Sequence, residues 1–506
     1  MLVHDMINVG RDDKVAIIYK DREITYKELR ANVTIFRNYL YEKGIKKNDK
    51  VGLFYKNSAE FVYAYIAIAS LGAVVVPFNI MLTPRELAYM ATDSNMKFVV
   101  TMQKLDIDVE QMVVPEVFEK ICIEYKDKNA PKIDVDENDE CVIIYTSGTT
   151  GNPKGAVLTH KNLSENCESV CEVINLSEDE RSLAVLPMFH SFAWTTMVLS
   201  EIYKGATISI MEMFVPGDAL RNIAENKLTF VCGVPAMYNF YLAAGTKEMF
   251  SSVKYFVCGG APLPVEVLNK FESKFGIRIM EGYGLSEASP VVCFNPLGKG
   301  KPGSVGLPIP RVEVKIVNDK NEELPVGEIG EILVRGTNVM KGYLNMPEVT
   351  SKTIVDGWLH TGDLGFKDND GYVYIVDRLK DMIIVSGLNV YSKEIEEEIY
   401  KHPDVVEAAV IGIPDEKRGE AVCAFVVLQK DKELNRKEFL GFLKEKLASY
   451  KIPRHVYQID VLPKNSTGKI AKNELRKKFE IKGWVLWRIL LWFIRHTIIT
   501  KMLKDW

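Results

Sequence analysis

Short apolar runs alternate with helical periods through the first third of the chain. Residues 50–55 form a β-rich apolar run, 58–71 carry helical spacing, and 73–78 and 97–101 are apolar runs again. Between the last two lies Thr83-Pro-Arg-Glu86, the pattern of a helix start: a capping hydroxyl, proline at the first helical position and glutamate at the third. Strand–helix–strand–helix–strand predicts a parallel sheet with crossover helices. The pattern returns at 229–234 and 254–258, with helices expected after Pro235 and Pro264.

From 302 to 376 the period shortens. Residues 312–317, 330–334 and 372–376 alternate apolar and polar between Gly, Pro and Asn turns, which predicts an antiparallel β subdomain. After Asp377 a new unit begins, with strands at 383–386, 405–411 and 421–428 and helices at 392–401 and 436–447. Roughly 100 residues in an α+β pattern is an ordinary size for an independent domain.

Composition narrows the class. A chain of 506 residues exceeds one ordinary core, so two to four domains are expected. A hydrophobic fraction of 47% with 26% charged residues is that of a globular protein. The net charge of -4 supplies no basic field, which argues against a nucleic-acid partner. The eight cysteines show no paired spacing. Cys167 and Cys171 lie one helical turn apart, with no second His or Cys pair beside them to complete a zinc site. They read as reduced core residues in a cytosolic compartment. Residues 1–11 are polar and acidic, unlike a secretory leader.

Chemistry concentrates in one loop. An apolar run at 141–145 leads into Thr146, Ser147, Gly148, Thr149, Thr150, Gly151, Asn152, Pro153, Lys154 and Gly155, and a second strand is expected at 156–159. Glycines allow backbone N–H groups to approach an anion, four hydroxyls can donate to phosphate oxygens, and Lys154 adds positive charge. Composition alone fits a surface hairpin equally well. It is not a Walker A loop, which needs Gly-Lys-Ser/Thr running into a helix.

This loop resembles the signature of the adenylate-forming superfamily, which includes acyl-CoA synthetases, firefly-type luciferases and peptide-synthetase adenylation domains. The likeness runs from about Asp21 to Arg476 through several segments in the expected order. Asp377-Arg-Leu-Lys-Asp-Met-Ile-Ile-Val-Ser-Gly-Leu-Asn-Val-Tyr391 and Gly303-Ser-Val-Gly-Leu-Pro-Ile-Pro310 are most similar to bacterial fatty-acyl-CoA ligases. Luciferase-like relatives carry lysines where this chain has Ile384 and Ser386, so those roles do not transfer.

The resemblance implies an α/β fold. A large N-terminal domain (1–377) would contain parallel α/β sheets and a β-barrel-like subdomain. A hinge (378–380) would join it to a small mobile α+β lid (381–480), with 481–506 as a tail. It also implies residue roles. Thr146–Lys154 would hold ATP phosphates; Gly260, Ala261 and Pro262 would lie along adenine and the acyl pocket. In Glu281-Gly282-Tyr283-Gly284-Leu-Ser286-Glu287, Tyr283 would stack on adenine and Ser286 would donate to the α-phosphate. Glu287, with Thr149, would ligate Mg2+ through hard oxygens. Asp363 and Arg378 would hold the ribose. Lys469 would act catalytically in adenylation and Lys380 would be the pivot. Gly387 would line the tunnel for the pantetheine of CoA. His190, in Pro187-Met-Phe-His190, would gate the carboxylate, and Trp194 would either close an acyl tunnel or belong to the core.

Amino-acid-activating relatives place an Asp near His190, and none stands between Phe189 and Val198. An apolar acid is therefore expected, a fatty acid first, with ATP, Mg2+ and CoA. The rival readings are an acyl-carrier-protein synthetase or acyl-AMP ligase, and a non-catalytic nucleotide-binding scaffold. The tail places Trp484, Trp487 and Trp492 beside Arg488, Arg495 and Lys501. This suits a helix in a membrane headgroup region with snorkelling arginines. A buried docking helix and the remnant of a further domain are the alternatives, and a homodimer is left open.

Overall fold

The computed structural model describes residues 1–146, 153–465 and 469–480, the side chains of 478–480 excepted, and every count below refers to these. In the first third, Lys50–Phe54 pairs in parallel with Val74–Pro77 on one side and Met96–Thr101 on the other. The intervening helix, Ala59–Ser70, is capped by Ser58 and nearly all buried, which is why it is apolar all round. The next helix, Pro84–Asp93, starts with the capping box read from the sequence, Glu86 accepting from Thr83 N at 2.8 Å.

These strands belong to a seven-stranded sheet in the order Gly342–Tyr343, Lys154–Thr159, Glu140–Thr146, Val74–Pro77, Lys50–Phe54, Met96–Thr101, Glu110–Val113. It is parallel in its centre and antiparallel at the first edge, where the hairpin Glu140–Thr146/Lys154–Thr159 takes on the two-residue strand. A second, nine-stranded sheet contains the parallel run Phe230–Gly233, Tyr255–Cys258, Ile279–Gly284. Parallel strands end at one edge, so the turns that follow them gather there. The strand Ile279–Gly284 contains the glycines of the Glu281–Glu287 motif, and its Gly282–Gly284 segment pairs antiparallel with Val291–Phe294. The glycine-rich motif is therefore strand rather than loop. One continuous apolar core packs residues from both sheets. A third sheet, built on the antiparallel strands Val312–Val317, Gly330–Gly336 and Trp358–Lys367, realises the predicted β subdomain.

The chain divides between Ile375 and Val376 into two compact units. In the second, Val405–Asp415 and Gly419–Leu428 form a long antiparallel pair that carries His455–Gln458 in parallel and Ile383–Val385 at one end. Its helix Arg436–Lys444 stops three residues short of the expected end. All eight cysteines are free thiols, seven of them buried. Among the described residues no cluster of His, Cys, Asp and Glu suits a metal, and no helix is long and apolar enough to cross a membrane. The tryptophan-rich tail lies outside the described residues.

The first residues depart from their polar reading. Val3–Asn8 is a 3-10 turn that buries Val3, Met6 and Ile7. Val3 N donates to Nδ1 of the buried His160 at 3.2 Å, a bond that requires Nδ1 to be unprotonated. Burial first, and then neighbouring His4, pulls the His160 pKa from 6.5 down to about 3. The folded state thus keeps His160 neutral while the unfolded chain protonates it. Its contribution is complete above pH 6.5 and is lost progressively as pH falls from 6.5 toward 3. Denaturant unfolding at pH 6.5 and pH 5 should differ by about 2 kcal/mol, in favour of pH 6.5. His160→Gln should shrink that difference; equal wild-type stability at both values would refute the assignment.

Candidate active site

The hairpin Glu140–Thr146/Lys154–Thr159 sets Thr146 opposite Lys154 and Tyr145 opposite Gly155. Gly155 has no room for a side chain, since a Cβ there would come 2.7 Å from Ile143 Cγ2. Tyr145 Oη donates to Asp93 at 2.6 Å and fixes the strand against the helix Pro84–Asp93. Ser147, Gly148, Thr149, Thr150 and Gly151, and with them the expected metal role of Thr149, lie outside the described residues. Thr146 and Lys154 mark where that loop leaves and returns.

The outer edge of the hairpin pairs Val157 with Gly342 and Ala156 with Tyr343. That pairing carries Tyr343 to the site. Its hydroxyl donates to Glu287 Oε1 at 2.9 Å, and Thr146 Oγ1 donates to the same oxygen at 3.4 Å. Lys154 Nζ stands 5.3 Å from the centre of the Tyr343 ring. Glu287 lies in the short turn Ser286–Ala288, where its carbonyl accepts from Met340 N at 2.8 Å. Burial first, and then the adjacent Glu287 charge, raises the Tyr343 pKa well above the ordinary phenol value, so the hydroxyl stays a donor at neutral pH. A half-exposed carboxylate beside two hydroxyls is a hard-oxygen set able to take Mg2+.

Tyr283 and Asp363 form a second pair. The Tyr283 hydroxyl donates to Asp363 Oδ2 at 2.6 Å, and burial followed by the Asp363 charge pushes the phenol pKa up. Asp363 is seated by Thr361, whose Oγ1 accepts from Asp363 N at 3.0 Å and donates to Ile332 O at 2.7 Å. Glu331 supports the same turn through Gly362 N at 3.0 Å and His360 Nδ1 at 2.9 Å. One oxygen of the Asp363 carboxylate is therefore held in place by Tyr283.

The turn from Gly259 to Pro262 is shaped from both sides. A Cβ at Gly259 would lie 2.8 Å from the Phe192 ring, whereas Gly260 adopts φ +74° with open space around it. Glu281, expected among the nucleotide-binding residues, is buried and accepts from Leu263 N at 3.1 Å, which fastens the end of this turn. Gly282 packs against the Phe294 ring, and Gly284 faces Pro290 O with no room for a Cβ.

His190 caps the short helix Ser191–Ala193, its Nδ1 accepting from Phe192 N at 3.2 Å. Ser191 Oγ lies 3.1 Å from Ser286 Oγ. On its other side Ser191 borders a cavity of about 10 Å³, with Tyr65, Val142, Met188 and Trp194 among its lining residues. Trp194 is 4% exposed, and its ring centre is 4.1 Å from that of Tyr65. Trp194 thus serves as core here while walling the apolar space behind Ser191. In the second unit, Arg378 N donates to Asp377 Oδ1 at 2.8 Å and Lys380 is exposed. Ser386 and Gly387 are the two positive-φ residues of a tight hairpin between Ile383–Val385 and Leu388–Val390, which by itself accounts for a glycine at 387. Lys469 is half-buried, and its N–H donates to Asn465 Oδ1 at 2.9 Å.

The profile of AMP-binding enzymes matches residues 7–344, and that of the AMP-binding enzyme C-terminal domain matches 394–469. The chain belongs to the AMP-binding enzyme family. It is 36% identical to a feruloyl-CoA synthase of an Amycolatopsis species over 470 residues, covering 92% of this chain and 96% of that protein. It is 36% identical to the long-chain-fatty-acid–CoA ligase of Bacillus subtilis over 514 residues, covering 92% and 91%. ATP-bound MatB from Rhodopseudomonas palustris superposes with a TM-score of 0.86 at 32% identity, covering 95% of this chain and 99% of that one. Adenylate-forming acid–CoA ligation is the activity of this branch of the AMP-binding family.

Sequence reading missed Tyr343, Ser191 and Glu331. A lone tyrosine after glycine carries no motif, and only the two-residue strand at 342–343 shows that it reaches Glu287. Glu287→Gln keeps the shape but removes the charge, and should lower ATP–pyrophosphate exchange by about 100-fold or more. Tyr343→Phe should lower it about tenfold. Both should keep the wild-type circular dichroism; exchange within twofold of wild type in Glu287→Gln would refute the site.

Proposed function

We propose that the protein activates an apolar carboxylic acid, a fatty acid in the first instance, with ATP, and transfers the acyl group to the thiol of CoA. The reading rests chiefly on the convergence of Thr146, Glu287 and Tyr343 on one side and Tyr283 with Asp363 on the other. A carboxylate is a weak nucleophile beside a triphosphate, so the protein must hold it in line with the α-phosphorus and offset developing charge. In this assignment the loop from Thr146 to Lys154 binds phosphates and Ser286 donates to the α-phosphate. Asp363 and Arg378 hold the ribose, and Lys469 supplies positive charge to the reacting oxygens. Mg2+ on Glu287 would screen the phosphates. Pyrophosphate leaves, acyl-AMP remains, and CoA displaces AMP with no side-chain nucleophile. Gly387 is assigned to the pantetheine path, Lys380 to the pivot and His190 to the carboxylate gate.

The acid is assigned from the apolar lining behind Ser191 and from the absence of an Asp between Phe189 and Val198. Fatty acid is supported by the Bacillus subtilis relative. A second reading, an aromatic acid, is favoured by the feruloyl-CoA synthase relative and by the cavity, which holds about one water while Trp194 stays in place. Pyrophosphate exchange across straight-chain acids from acetate to stearate and across hydroxycinnamates, followed by CoA or acyl carrier protein as acceptor, decides between them. The fatty reading expects the highest kcat/KM on a long straight chain with CoA as acceptor. A maximum on a hydroxycinnamate would overturn the fatty assignment, and efficient transfer to carrier protein alone would overturn the CoA assignment.

Two further outcomes belong to this reading. Lys469→Ala should abolish exchange while largely sparing thioester formation from supplied acyl-AMP; equal loss of both would contradict the assignment. The tail carries tryptophans beside arginines and is assigned to a membrane surface. Deletion of 483–506 should release the enzyme from anionic lipid vesicles in a flotation assay, and unchanged flotation would remove the membrane assignment.

A further inference from the structure

In the second unit, the helix Lys472–Glu480 begins three residues after Lys469. Leu475 is its buried anchor, packed in an apolar cluster that contains Ile411, Cys423 and Leu462. Lys472 and Arg476, four apart, flank that anchor on one face. Lys472 Nζ donates to Ser392 Oγ at 2.7 Å and pairs with Glu396 at 2.7 Å. Glu396 in turn accepts from Val410 N at 2.7 Å, and Ser392 N donates to Asp377. Arg476 Nη2 pairs with Asp381 Oδ1 at 2.7 Å, the two side chains being 24% and 12% exposed. The carboxylates on either side of 378–380 are thus both led back to this one helix, Asp377 through Ser392 and Lys472, and Asp381 through Arg476.

Lys469 is framed from the other direction as well. Its N–H donates to Asn465 Oδ1 at 2.9 Å and its carbonyl accepts from Asn465 N at 2.8 Å. Ile470 bridges Lys464, and Ala471 N donates to Pro463 O at 2.8 Å. Little of the backbone between Lys469 and the helix is left to adjust. A shift of the helix on its sheet would move Lys469 with it.

We infer that Arg476, through its pair with Asp381, is a positioning residue for Lys469, with Lys472 and Ser392 acting in parallel. The two contacts lock Lys469 and the 377–381 segment into one rigid piece, so that the lysine is delivered in a single orientation. The inference rests on the reading of Lys469 as the adenylation lysine. The pair acts through charge, and a largely buried ion pair is costly to leave half-made.

The test compares both half-reactions in full-length Arg476→Ala, Arg476→Lys and Asp381→Asn, with Lys469→Ala as reference. Arg476→Ala should lower kcat for pyrophosphate exchange about 30-fold. The KM for ATP should change far less than kcat, because Arg476 itself is assigned no nucleotide contact. Thioester formation from supplied acyl-AMP and CoA should change by less than about threefold. Arg476→Lys should recover most of the exchange, and Asp381→Asn should resemble Arg476→Ala. Parallel loss of both half-reactions, which a fold defect would give, or wild-type exchange in Arg476→Ala, would overturn the positioning role. Lys469→Ala with intact exchange would instead overturn the reading of Lys469, and the inference with it.

Discussion

The pairing of Gly342–Tyr343 with the edge strand Lys154–Thr159 is the contact on which the first unit's site depends. It joins a distant part of the chain to the hairpin that bears Thr146 and Lys154. Lys341 N and Leu344 N extend the seam to Val157 O and Gly155 O. Only glycine serves at 342, where φ is +153° and a Cβ would press on Thr350. The result is a phenol and a threonine hydroxyl on the same oxygen of Glu287. The two hydroxyls fix the direction of that carboxylate and leave it an all-oxygen group of the kind a hard cation prefers.

The same economy appears at Asp363, oriented by Tyr283 through one oxygen. The glycines around these groups do separate jobs: Gly259 makes way for Phe192, Gly284 for Pro290 O, and Gly260 takes a left-handed turn. The conformations of this site are therefore set by close packing in the two sheets beneath it, and the polar groups sit on a rigid floor.

Much of this is legible in the amino-acid sequence. The crossover pattern, the Thr83 capping box and the β subdomain have strong local signals, since hydrophobic period and capping chemistry act within a few residues. Glu287 and Asp363 stand in motifs. Tyr343 does not, because its role arises from a two-residue strand that pairs with chain some 190 positions away. Val3–Asn8 reads as polar, yet its three apolar residues join the core and the Val3 N–H meets a buried histidine. Gly282 and Gly284 lie in a strand because glycine lets the neighbouring strand approach closely, a contact that local sequence does not show. Clamps such as Arg476–Asp381 are invisible in sequence, since charged residues near a boundary between compact units read as solvated surface.

Attack of the substrate carboxylate on the α-phosphorus of ATP is the step to which the residues assigned around the nucleotide contribute. Turnover of a fatty acid labelled with 18O in both carboxylate oxygens, with ATP and CoA, tests it directly by mass spectrometry of the products. Attack at the α-phosphorus transfers one label to AMP and leaves pyrophosphate unlabelled. Label in orthophosphate with ADP as the nucleotide product, the signature of an acyl-phosphate route, would contradict it.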